Sequence, residues 1–276
     1  IFTDTLLLVV EDEGQPYILA EFQTNPQGYV RWLTVDSLVD KYLNISPYAY
    51  CNNNPLKYID PEGEATFLVD GEVIGNDGKN DEKIYWIQTQ CSSYSTKDGP
   101  VNGAGLSQAE YNEAIEFVKN NSGNANVFTE DCIAYKYFVD IEIYSSELRQ
   151  AMLDIIYDDG MGGDGDDNNR EYFGSVETYR MIIHNASAGE VCDPIAPSSA
   201  SWPGWINFHS HWSGSRCINM CSCPSPKDII AIQEESNIFH KDKISFVFGM
   251  RDKIVYLFNK NGVMATCPLD KFVHPF

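Results

Sequence analysis

The chain has 276 residues, enough for one large domain or for two smaller ones with their own cores. Nineteen Lys and Arg against forty Asp and Glu give a formal net charge of -21 at pH 7. Nucleic-acid affinity comes largely from Lys and Arg neutralising phosphates, so nucleic-acid binding and nuclease action are not expected of so acidic a chain.

The first residue is Ile rather than Met, and a piece of a longer protein is expected. The apolar run LLLVV at residues 6–10 falls far below the length that spans a bilayer, so no membrane span is expected. Without a basic flank or a small-residue cleavage site it does not read as a signal peptide either. Cysteines at positions 51, 91, 132, 192, 217, 221, 223 and 267 are too sparse for the disulfide scaffold of a small secreted domain. They suit a protein that folds reduced and is exported later.

Residues 31–64, RWLTVDSLVDKYLNISPYAYCNNNPLKYIDPEGE, carry Asn, Pro and Gly in the pattern of short strands joined by tight turns. Trp32, Asp36, the SPYAYCNNNP run at 46–55 and DPEG at 60–63 closely resemble the end of the RHS repeat-associated core, the terminal piece of a large bacterial shell-forming repeat protein. The resemblance implies a short β-rich remnant of that core over residues 1–63, followed by a variable C-terminal payload, often a toxin. Glu64 stands where relatives have a Leu associated with self-cleavage, so self-cleavage is not expected here.

Past that boundary, two apolar runs flank Asp70 and Gly71, and a third covers residues 84–87, which predicts small antiparallel β structure. Asp77 and Asp81 offer calcium-type oxygens, but the spacing of an EF-hand loop is absent and a plain polar turn is the simpler reading. Ser107, Gln108, Ala109 and Glu110 make a capping box, and Tyr111, Ala114, Ile115 and Val118 follow at helical spacing. A second helix is predicted from about residue 146 to 157, with Leu148, Met152, Ile155 and Ile156 on one face. The Gly- and Asp-rich run at 158–169 cannot bury a core; it reads as a solvated connector, with calcium binding as the alternative.

From Trp205 the chain reads WINFHSH, and the strand period of two puts Trp205, Asn207, His209 and His211 on one face. An H-x-H on a strand is one way to supply two nitrogen ligands to zinc, though weak evidence alone. Ser225, Pro226, Lys227 and Asp228 then open an apolar-periodic run, with Ser225 as N-cap, Pro226 at the first helical position and Asp228 in the first turn. A well-capped helix with an acid at its positive end accounts for that pattern, and the same carboxylate facing the histidine strand is placed to be a third ligand. Three protein ligands with a fourth position left for water is the arrangement of a catalytic zinc site, which also needs a general base. Glu171, in REYFGSV at 170–176, is the candidate, with Glu177 and Glu190 as substitutes; an exposed strand-edge acid is the other reading of Glu171.

Glu-x-x-Gly, His-Ser-His and Ser-x-x-Asp ahead of a helix together resemble the JAB/MPN metalloprotease motif, also called JAMM. Combined with the RHS tail they are similar to the JAB-like toxin domains carried as payloads of bacterial polymorphic toxins. The resemblance covers roughly residues 145–276. It implies an α+β fold in which residues 144–276 form an α/β/α JAB/MPN (cytidine deaminase-like) domain with a mixed central sheet, and residues 64–143 a variable linker region. It further implies Zn2+ held by His209, His211 and Asp228, with Glu171 as base and Ser225 helping to hold the oxyanion. The protein would then be a secreted or delivered effector that cleaves a peptide or isopeptide bond in a target-cell protein, with a cognate immunity protein as partner. A catalytically inactive JAB-fold binding module is the alternative.

Two departures stand out. Trp212 follows the second histidine where the family commonly has Pro, and thirteen residues, 212–224, precede Ser225 where the family has fewer. Cys217, Cys221 and Cys223 in that insertion lack an obvious fourth ligand for a second metal site and read as free or paired thiols. The stretch at 244–265 predicts two or three strands with an NKNG turn, and His184, His240 and His274 read as surface or core histidines. An amidohydrolase-like barrel is disfavoured, because too little chain follows His211 to complete one.

Overall fold

The computed structural model describes residues 4–12, 15–24, 64–80, 83–157, 170–178, 180, 182–189, 205–212 and 222–273. The chain divides into two compact units, Ile1–Gly63 and Glu64–Phe276. In the first, β1 (Asp4–Asp12) and β2 (Gln15–Thr24) pair antiparallel, with a register shift between Leu8 and Val9. The run LLLVV is therefore part of a strand, and no described helix is long and apolar enough to cross a membrane. The RHS-like signatures at 32–63 lie outside the described residues.

The second unit is mixed α+β. It opens with β3 (Glu64–Val69) and β4 (Glu72–Asn80), turned at Asp70 and Gly71 with φ of 50° and 74°. Next come β5 (Ile84–Ile87) and a small hairpin of β6 (Ser93–Thr96) and β7 (Gly99–Asn102). After these follow α1 (Gln108–Asn121), α2 (Ile133–Tyr137) and β8 (Phe138–Asp140). The four-stranded sheet runs β4-β3-β5-β8. Its β3/β5 pair is parallel rather than antiparallel as expected. The reason is that β4 ends where β3 began, so a short link can start β5 only in the direction of β3. The capping box predicted for α1 is present, with Ser107 Oγ accepting from the Glu110 amide and Glu110 Oε2 accepting from the Ser107 amide.

The larger sheet follows α3 (Ser146–Ile156) and is built from β9 (Tyr172–Glu177), β10 (Ile182–Ala188), β11 (Trp205–His211), β12 (Ser245–Gly249), β13 (Ile254–Asn259) and β14 (Gly262–Pro268). Between β11 and β12 lies α4 (Pro226–Phe239). The order is β10-β9-β11-β12-β13-β14, and only the β11/β12 pair is parallel, because α4 supplies the crossover that parallel pairing requires. Alternation along the strands sends Val176, Phe208, Phe246 and Phe248 to the face covered by Leu148, Met152 and Ile156 of α3. Val247, Tyr256 and Phe258 go to the opposite face, against Ile232 of α4.

Residues 64–143, expected as a linker region, pack into that same core. Leu68, Trp86, Val139, Ile141 and Ile143 join the α3 side of the large sheet, and the Trp86 ring meets Phe246 and Phe272 edge-on at 6.0 and 6.1 Å. The strand period explains this double use, since Phe67 and Tyr85 face the α1 cluster while Leu68 and Trp86 face the other way.

Gly174, the glycine of Glu-x-x-Gly, sits opposite Phe208 in the β9/β11 register, and a Cβ there would lie 2.6 and 2.8 Å from two carbons of the Phe208 ring. Gly174→Ala is expected to lose about 1–3 kcal/mol, read by chemical denaturation. Glu142 is half-buried with φ of 57°, a conformation that Asn tolerates better. Burial raises its carboxyl pKa, against the opposing charge of Lys241. A raised folded pKa means the stability of the protonated form is present below about pH 4.3 and lost as pH rises through the folded value. Glu142→Asn should therefore stabilise by about 0.5–1 kcal/mol at pH 7 through relief of backbone strain and of the buried charge, and by less at pH 4. Thermal melts at the two pH values check it.

Candidate metal centre

The face of β11 that carries Asn207, His209 and His211 is the one covered by α4. The first turn of that helix is locked by a reciprocal cap: Ser225 Oγ accepts from the Asp228 amide at 3.3 Å, and Asp228 Oδ2 accepts from the Ser225 amide at 2.6 Å. That cap holds the Asp228 carboxylate over the strand. His209 Nε2 lies 3.2 Å from His211 Nε2 and 3.3 Å from Asp228 Oδ1, and His211 Nε2 lies 3.5 Å from Asp228 Oδ2. All three side chains are buried, at 4, 4 and 8 % exposure.

Two nitrogens and an oxygen brought this close can hold a metal ion. With one ligand atom from each residue, the three atoms lie within 4.8 Å of one another, close enough for one ion to be held between them. Imidazole and carboxylate donors suit several divalent first-row metals, zinc among them. Burial by itself would raise the Asp228 carboxyl, but the imidazoles of His209 and His211 outweigh it and hold the pKa well below the usual carboxylate range. The carboxylate is therefore charged and ready to ligate.

Glu171 immediately precedes β9. The β9/β11 pairing ends at Phe173 and His209, and Glu171 lies two residues beyond it, toward the His211 end of β11. Tyr172 N donates to Ser210 Oγ at 3.0 Å, and Gly189 N to Glu171 O at 2.7 Å, which ties this end of β9 in place. At 3 % exposure Glu171 is not an exposed strand-edge acid. Glu177 pairs with Trp205 at the far end of the register and binds His184 at 2.8 Å and Arg180 at 3.6 Å, so it lies away from the donor triangle.

Other sequence candidates resolve differently. The Asp77 carboxylate is fully buried and accepts from the Lys79 amide and the Tyr135 hydroxyl, the bonding of a structural turn. His184 stacks on Trp205 with ring centroids 4.3 Å apart, and exposed His240 ends α4 in a left-handed conformation. Cys223 is disulfide-bonded, whereas Cys91, Cys132 and Cys267 are free thiols. Asp81, Glu190, Cys217, Cys221, His274 and the connector at 158–169 lie outside the described residues.

One part of the site was not anticipated. Asn207 Nδ2 donates to both carboxylate oxygens of Glu235, at 2.8 and 3.1 Å, while Asn207 Oδ1 accepts from Ser175 Oγ at 2.8 Å. The signal was present in the spacing of Asp228 and Glu235, seven residues apart and hence on the same face of α4.

No family model, curated protein or solved structure matches this chain. Fold and site together define a mixed α+β protein with a buried His-His-Asp donor group.

Proposed function

We propose that the chain is the C-terminal toxin payload of an RHS-type polymorphic toxin, and that its second unit is a JAB/MPN-like, zinc-dependent hydrolase cleaving a peptide or isopeptide bond. The observation that carries this reading is the convergence of His209, His211 and Asp228, with buried Glu171 just beyond the end of the β9/β11 pairing. Glu-x-x-Gly, His-x-His and Ser-x-x-Asp supply these residues in the order of the JAMM motif.

Zinc held by the three donors supplies Lewis acidity toward a carbonyl and toward water. Glu171 takes a proton from the attacking water as the new C–O bond forms, then gives it to the leaving amine as the C–N bond breaks. Ser225 uses a lone pair in the helix cap, which leaves its O–H proton to donate to the carbonyl oxygen as that atom gains negative charge. Delivery to another cell and a cognate immunity protein belong to the same proposal.

The test is expression of the full chain in a susceptible bacterium, as wild type and as Glu171→Gln, followed by elemental analysis of the purified proteins and a proteomic search for new peptide termini. Stoichiometric zinc in both proteins, with toxicity and new termini for the wild type alone, is the expected result. Zinc-free wild-type protein would overturn the reading. Bound zinc with toxicity that Glu171→Gln leaves untouched would favour an inactive JAB-fold binding module.

A further inference from the structure

We propose that Glu235 is a positioning residue for the metal centre, acting on His209 through one buried water. The inference rests on the reading that His209, His211 and Asp228 hold a metal ion, and it is independent of the reaction assigned to the site.

His209 directs Nε2 at His211 and Asp228, so its other ring nitrogen, Nδ1, must be held by something else. A ligating histidine almost always donates its second N–H to an acceptor, which sets the tautomer, fixes the ring and raises its basicity. Among the described residues no group hydrogen-bonds Nδ1 of His209. Beside the ring, between β11 and α4, is a cavity of about 20 Å³ lined by Asn207, His209, Asp228, Glu235 and Ser245 together with apolar Ile232 and Phe258. A water needs about 10–15 Å³ and two to four polar partners, and the cavity meets both requirements.

Glu235 is the acceptor best placed to anchor such a water. Its two oxygens accept from Asn207 Nδ2, and Ser175 holds the far side of that carboxamide, so the carboxylate cannot swing away. Ser245 Oγ donates to the Asn207 carbonyl, which pins the backbone of the same residue. Asp228 and Glu235 thus divide the work of one helix face, the first as a ligand and the second two turns on as support for a ligand.

The experiment compares the full-length wild type with Glu235→Gln, Glu235→Ala and the exposed neighbour Glu234→Gln. It reads zinc affinity by competition with a chelating dye, the visible absorption of the cobalt(II)-loaded proteins, and the melting temperature of the metal-free proteins. Glu235→Gln is expected to bind zinc about 10- to 100-fold more weakly and to shift the cobalt(II) band, with the metal-free melting temperature unchanged. Glu234→Gln should match the wild type throughout. Unaltered zinc affinity and an unaltered cobalt(II) band in Glu235→Gln would overturn the proposal. So would a lowered metal-free melting temperature as the sole effect, because that marks a purely structural residue. Should the wild type bind neither metal, both this inference and the metal-site reading fall together. A wild type that binds metal with a Glu235→Gln that does so equally well removes this inference alone.

Discussion

Glu171→Gln should retain one metal ion per chain and lose about 10²- to 10⁴-fold in turnover, the usual range for removing a general acid–base group. The carboxamide has nearly the shape of the carboxylate, so packing at this 3 %-exposed position is preserved. The carboxamide also keeps an acceptor oxygen that can orient water. What it cannot do is accept the proton and return it. Because Glu171 is not a member of the donor group, metal binding and turnover should separate in this variant. Elemental analysis of the purified protein, set beside the count of newly formed peptide termini, checks both halves.

His209→Ala should abolish stoichiometric metal binding and with it all metal-dependent stabilisation. An ion that binds only the folded state stabilises by about 4.1 kcal/mol at a free concentration a thousand times its Kd. For a unit of this size each kcal/mol moves Tm by about 2–4 °C, so saturating zinc should raise the wild-type Tm by roughly 8–16 °C. Removing one of two imidazoles 3.2 Å apart breaks the donor triangle and takes that increment to zero. Direction with pH follows from the ligands. In the metal-free protein the depressed folded pKa of Asp228 contributes stability above its unfolded value of about 3.9, lost as pH falls through the folded value. Metal binding requires deprotonated ligands as well, so the zinc-dependent rise in Tm should shrink as pH falls. Differential scanning calorimetry with and without zinc, at several pH values, measures the increment directly.

The small-scale expectations and the large-scale ones fared differently, for one reason. The α1 capping box, the Ser225 cap with Pro226 behind it, the helix over α3 and the three strands β12, β13 and β14 are all local patterns, and each is present in the fold. Residues 64–143 carried no pattern that would distinguish a linker from a second layer of core. What joins Leu68 and Trp86 to Phe246 is burial between strands far apart in sequence, and burial depends on shape and volume that one segment does not encode. The parallel β3/β5 pair escaped notice for a related reason, because pairing direction is set by where β4 ends in space.

At the site the same division holds. Sequence by itself determined that His209 and His211 share a face and that Asp228 occupies the first turn of a capped helix, because strand and helix periods follow from backbone geometry within a single element. Only the tertiary structure decided that α4 lies over β11, that β9 runs antiparallel beside it, and that Asn207 bonds Glu235 at a cavity that His209 also lines. Those relations are matters of register and layer packing between segments, and they are settled by which faces bury together.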